Sequence, residues 1–138
     1  MKFKKTKIAA ASVAAGVLAL SVATPALAYD QKVSTDDGDP GGRVEWTAYG
    51  DVVKVCDIEA DGWAAKVFVG YFVSGFPPVH DSYSLQAGGN GTCKTARASD
   101  GGSHDLPEGK QLSITVCLAD SSHPQGTYCD WIEPYNNN

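Results

Sequence analysis

The chain has 138 residues, with 11 Lys and Arg against 16 Asp and Glu and a formal net charge of −5. A surface of that sign repels nucleic acid and anionic lipid, so neither is expected as a partner. The length suits one modest domain.

The first element is a targeting signal. Lys2, Lys4, Lys5 and Lys7 precede a nearly uncharged apolar run over residues 8–23, and Pro25 then leads into Ala26-Leu27-Ala28. A charged start, an apolar middle and a small-x-small end make a secretory signal peptide, expected to be cleaved after Ala28. The run is short for a membrane span, so a secreted, extracellular protein is expected. Cleavage removes four lysines and no acids, leaving seven basic against 16 acidic residues, a formal charge of −9.

Residues 29–42 read YDQKVSTDDGDPGG, with Val33 as the one aliphatic residue. So polar a segment buries too little apolar surface to order itself, and it is expected to be a flexible N-terminal arm. The rest, residues 43–138, is expected to be the folded domain. Val44, Trp46 and Ala48 alternate with polar residues, and Gly50-Asp51 marks a turn. Val53 and Val55 share one face of a second strand. Residues 64–73 (AAKVFVGYFV) are β-branched and aromatic and predict a central strand. Short strands are predicted over residues 82–85 and 92–98. Residues 99–109 predict a loop. Leu112, Ile114 and Val116 alternate with Ser113, Thr115 and Cys117, and a last strand is predicted over residues 128–132. That makes about seven short strands and no helix. The expected fold class is all-β: a small antiparallel β-sandwich with two disulfides.

Cys56, Cys93, Cys117 and Cys129 are an even set in an exported chain, which reads as two disulfides. Three pairings exist. Cys56–Cys93 with Cys117–Cys129 is favoured, because Cys117 ends one strand and Cys129 begins the next, so their bond would staple a hairpin. Zinc is disfavoured because neither CxxC nor HxxxH spacing occurs.

Asp57, Glu59 and Asp61, followed by Gly62, place carboxylates at the first, third and fifth positions of a calcium-type loop. The twelfth position is Phe68, where a bidentate glutamate is needed, and the flanks read as strands. These residues are therefore a weak calcium candidate, with a plain polar turn as the alternative; no other cofactor is expected. His80, His104 and His123 lie in predicted loops. Ser103-His104-Asp105 has the composition of a hydrolytic triad, but neighbours on an extended chain point apart. With no nucleophile elbow, HExxH or phosphate-cradling loop, the chain is expected not to be an enzyme.

Two stretches carry a family resemblance: WTAYGDVVKVCDIEADGWAA (residues 46–65) and ITVCLADSSHPQGTYCDWI (residues 114–132). They resemble small exported β-sandwich proteins of filamentous actinobacteria. Within that group the layout is similar to the adaptor subunit of umbrella toxin particles. In those particles a large polymorphic toxin carries spokes, and the adaptor joins them to a lectin subunit by inserting an N-terminal arm into a lectin cleft. The resemblance implies a secreted adaptor between a lectin-like subunit and a large toxin subunit, with Tyr29, Lys32 and Val33 as arm anchors. A secreted inhibitor of an extracellular amylase or protease is the main alternative, presenting residues 75–81 or 119–128 as a rigid loop. A carbohydrate-binding module is the third, because the chain is rich in tryptophan and tyrosine.

Overall fold

The computed structural model describes residues 30–137. Eight strands make two four-stranded antiparallel sheets. The strands are β1 (Gln31–Ser34), β2 (Gly42–Thr47), β3 (Val52–Asp57), β4 (Ala64–Phe72), β5 (Val79–Gly88), β6 (Cys93–Ala96), β7 (Leu112–Ala119) and β8 (Thr127–Ile132). The first sheet has the order β1-β2-β3-β6 and the second β5-β4-β7-β8. Two short 3-10 turns, Ala98–Asp100 and Gly102–His104, interrupt the long loop before β7. The all-β sandwich read from the period-two patterns is the fold. Among the described residues no helix is long and apolar enough to cross a membrane.

The alternation explains the layers. Val44 and Trp46 on β2 and Val53 and Val55 on β3 are buried. They meet Ala65, Val67 and Val69 on β4 and Leu112, Ile114 and Val116 on β7. A side-chain period of two puts each set on one face of its sheet, and the two apolar faces close on each other. The stretch expected to be central is β4, paired with β5 on one side and β7 on the other.

Both favoured disulfides are present, Cys56–Cys93 and Cys117–Cys129. Cys56 and Cys93 sit directly opposite each other on β3 and β6. Cys117 faces a bulge in β8, where the register slips between the Val116–Asp130 and Leu118–Thr127 pairs. Gly126, just before β8, lies close against the same cysteine. It has φ +91°, and a Cβ there would lie 2.5 Å from the Cys117 Cβ. A second irregularity lies between Val69 and Gly70 where β4 meets β5. A Cβ on Gly70 would approach the His80 carbonyl oxygen to 2.6 Å, so only glycine allows that approach.

The structure corrects the expected arm. Residues 31–34, assigned above to a flexible segment, form β1, paired with β2 from Gln31–Trp46 to Ser34–Arg43. The physical reason is non-local. Val33 packs on the core, and the Asp30 carboxylate accepts the Ala48 N–H at 2.6 Å. Beyond the strand, Thr35 is buried and its hydroxyl accepts the Gly42 N–H at 3.1 Å. The sandwich therefore includes residues placed before its expected start at residue 43, and it has eight strands rather than seven. Strand β5 also outruns the expected residues 82–85. The signal peptide and Tyr29 lie outside the described residues.

Candidate functional site

The strand directions set up two unlike poles. Strand β4 starts at one pole and ends at the other, a span of about 27 Å for nine extended residues. The first pole gathers the β1–β2, β3–β4, β5–β6 and β7–β8 turns. The second gathers the β2–β3 turn, the β4–β5 hairpin tip and the long loop before β7.

At the first pole a cleft of about 720 Å³ opens between turns. Its lining includes Asp57, Glu59, Trp63, Gln86, Asn90 and Asp120. Several aspartates at this pole are held by local devices. Asp57 ends β3 and is buried; its carboxylate accepts the Glu59 N–H at 3.3 Å and the Gly89 N–H at 2.7 Å, tying two turns together. Asp61 accepts the Trp63 N–H at 2.8 Å, which sets the entry into β4. Asp120 accepts the Ser122 and His123 N–H groups at 2.9 and 2.6 Å and contacts the His123 ring nitrogen at 3.0 Å. Desolvation pushes the Asp120 carboxyl upward, but the bonds from the His123 backbone and ring and from Ser122 outweigh it and hold the group below its ordinary range. His123 in turn packs on Trp63, ring centres 5.3 Å apart, and Tyr128 meets the same indole edge-on at 6.4 Å. Tyr128 is in the β8 bulge, with φ +51°.

The calcium candidate differs from its expected set at one position. Glu59 and Asp61 come together with Asp37 from the β1–β2 turn, each offering an oxygen within 4.8 Å of the others. Asp57 instead serves the two backbone amides. The Glu59 carboxyl is raised above its ordinary range by desolvation and then by Asp39, Asp61, Asp37 and Asp57. Three carboxylates are half of the six to eight oxygens that calcium takes. Asp37 was invisible to spacing arguments because it lies on a different turn.

The other expected residues are spread apart. Lys32 is exposed on β1, and Val33 is half-buried beneath it. Trp46 is core, whereas Trp131 is 59% exposed on edge strand β8. His104 turns to the Gly101 carbonyl at 3.2 Å and to the Tyr83 ring, leaving Ser103-His104-Asp105 without a relay.

At the second pole the β4–β5 tip carries Phe76, 98% exposed, next to Pro77 and Pro78. The Val73 N–H donates to the Pro78 carbonyl at 2.8 Å across the base of the tip. Nearby, Asp51 in the β2–β3 turn is fully buried and accepts the Leu106 N–H at 2.8 Å, fastening the long loop. Burial pushes the Asp51 carboxyl above its ordinary range. The Leu106 amide and the Asn136 side chain oppose the rise, and Glu108 and Asp105 add to it. The native state therefore holds this proton more tightly than the unfolded chain, so the group's stabilising share is present at low pH and fades as pH rises through its folded value. Asp51→Asn keeps the acceptor and suits the φ of +50°. Relative to wild type, the variant should gain stability progressively as pH is raised from 3.5 to 7, read by urea unfolding at each pH. A difference that is flat with pH would show that Asp51 is ionised without penalty.

No protein-family model matches this chain, and no curated protein or solved structure matches it either.

Proposed function

We infer that this chain is a secreted, non-catalytic adaptor that holds two extracellular proteins at once, one at each pole. The observation that carries the reading is the contrast between the poles. One ends in a protruding apolar knob, Phe76, on a tied hairpin; the other opens as an acidic cleft walled by Trp63. An isolated phenylalanine at 98% exposure does nothing for the fold of its own domain. Its burial in a partner would be worth a few kcal/mol at about 25 cal/mol per Å². The layout supports the role of the umbrella-particle adaptor, with a lectin-like subunit at one pole and a large toxin subunit at the other. Strand β1 alters the part its N-terminal segment plays. Lys32 is exposed beside Val33, which is half committed to the core, so that segment offers a docked strand and the residues before it, rather than a free tether.

Capture from the host culture supernatant tests this. The tagged protein should retain two different proteins. Phe76→Ser should lose one of them by at least tenfold and keep the other, with the domain's unfolding midpoint unchanged. Retention of both partners by Phe76→Ser refutes the knob as an anchor. Capture of a single amylase or protease, with inhibition abolished by Phe76→Ser, would favour the inhibitor reading, which the same tied hairpin supports.

A further inference from the structure

The outward face of the β1-β2-β3-β6 sheet is opposite in sign to the net charge of the molecule. Residues 29–138 hold seven basic against 16 acidic side chains. Val33, Val44, Trp46, Val53 and Val55 turn toward the core, so the residues alternating with them point outward. Those outward positions carry Lys32, Arg43 and Lys54, with Glu45 as the one acid among them. The register sets the pattern. Lys32 of β1 and Lys54 of β3 stand opposite Glu45 of β2, one on each side. The Arg43 Nε lies 3.0 Å and the Lys54 Nζ 3.3 Å from the two oxygens of the Glu45 carboxylate. Glu45 is buried beneath these bases, and Lys32 is exposed. A visitor to this face therefore meets the positive groups first. The strands of the other sheet contain one lysine, Lys66, and no arginine.

We propose that this face docks a short acidic segment of a partner protein, its carboxylates set over Lys32, Arg43 and Lys54. Charge complementarity selects the occupant. The ends of the face are acidic: Asp36 and Asp39 are exposed in the β1–β2 turn, and Asp30 is exposed just before β1. The basic strip between those ends is one strand long, about 20 Å for six residues. An extended polyanion or an anionic lipid surface would overrun the strip and meet the acids at both ends. A short acidic segment fits within it. Glu45 also holds Arg43 and Lys54 in place before a partner arrives, so they lose little freedom on docking. The face lies between the poles and uses neither Phe76 nor the cleft, so it goes beyond the two-pole reading.

Titration followed by NMR of the labelled full-length mature protein tests it. The probe is an acetylated, amidated hexapeptide of alternating glutamate and serine. It should shift the amides of Lys32, Glu45 and Lys54, and its affinity should fall severalfold as salt rises from about 20 to 200 mM. Lys32→Glu reverses an exposed charge on this face and should weaken the peptide roughly tenfold, with the unfolding midpoint unchanged. Lys66→Glu makes the same change in net charge on the other sheet and should leave the affinity nearly as it was. Equal losses in the two variants, or shifts spread over both sheets, would mean attraction without a site and overturn the proposal. Tighter binding of a short oligothymidylate or of phosphatidylglycerol vesicles to the same face overturns it in favour of an extended polyanion. Silence toward the peptide at low salt also overturns it. The probe is synthetic and no pole residue is changed, so failure here is distinct from failure of the capture experiment.

Discussion

Trp46→Ala should cost roughly 3–5 kcal/mol of unfolding free energy, the range for removing a large buried aromatic. Trp46 is 1% exposed and heads the largest fully buried side chains. On β2 it stands between Gln31 of β1 and Val53 of β3, and its carbonyl accepts the Asp30 N–H at 2.8 Å. Its loss would leave a cavity between the sheets and loosen the seat of β1. Domains of this size hold only about 5–15 kcal/mol, so the variant should sit near its unfolding threshold. Guanidinium unfolding measures the effect directly. Trp46→Phe, which refills most of the space, should lose less than half as much. A loss under about 1 kcal/mol for the alanine variant would mean that the indole does not fill the core.

Opening the Cys56–Cys93 bond should be nearly as costly. It closes a loop of 37 residues, for which chain entropy gives roughly 4 kcal/mol. The Cys117–Cys129 bond spans 12 residues and gives roughly 3 kcal/mol on the same basis. The paired variants Cys56→Ala with Cys93→Ala and Cys117→Ala with Cys129→Ala should rank in that order. The measurement is the unfolding midpoint of each paired variant against wild type under non-reducing conditions. Equal midpoints for all three proteins would mean that the bonds do not constrain the unfolded chain, and the entropy account would fail.

Most of the sheet was legible because its core faces are local patterns. Val53 with Val55, and Leu112, Ile114 and Val116, alternate in the sequence and point inward together in the fold. What escaped the pattern was held by distant partners. The segment Gln31-Lys32-Val33-Ser34 has one apolar side chain; it becomes a strand because β2 offers an open edge and Asp30 and Thr35 bond across to it. His80 and Asp81 look like turn residues, yet edge strand β5 accommodates them because its outer side faces solvent. The turn residue Asp51 gave no sign of burial, since the loop that covers it arrives from Leu106. The candidate site was half legible. Glu59, Asp61 and Trp63 lie within one short stretch, but Asp37, Asn90, Asp120 and Tyr128 come from three other parts of the chain and meet only after folding.

The two disulfides have a common address. Cys56 immediately precedes Asp57 at the end of β3, and Cys93 opens β6 just after the β5–β6 turn. Cys117 and Cys129 flank the β7–β8 loop that bears Asp120 and His123. Both bonds therefore clamp the pole that carries the cleft, and neither reaches the pole that carries Phe76. Reduction of both bonds would unfasten the roots of the cleft, whereas the knob's hairpin is held by the β4–β5 ladder and the Val73–Pro78 backbone bond and has no disulfide to lose. The covalent ties of the fold are thus concentrated at one of its two unlike ends.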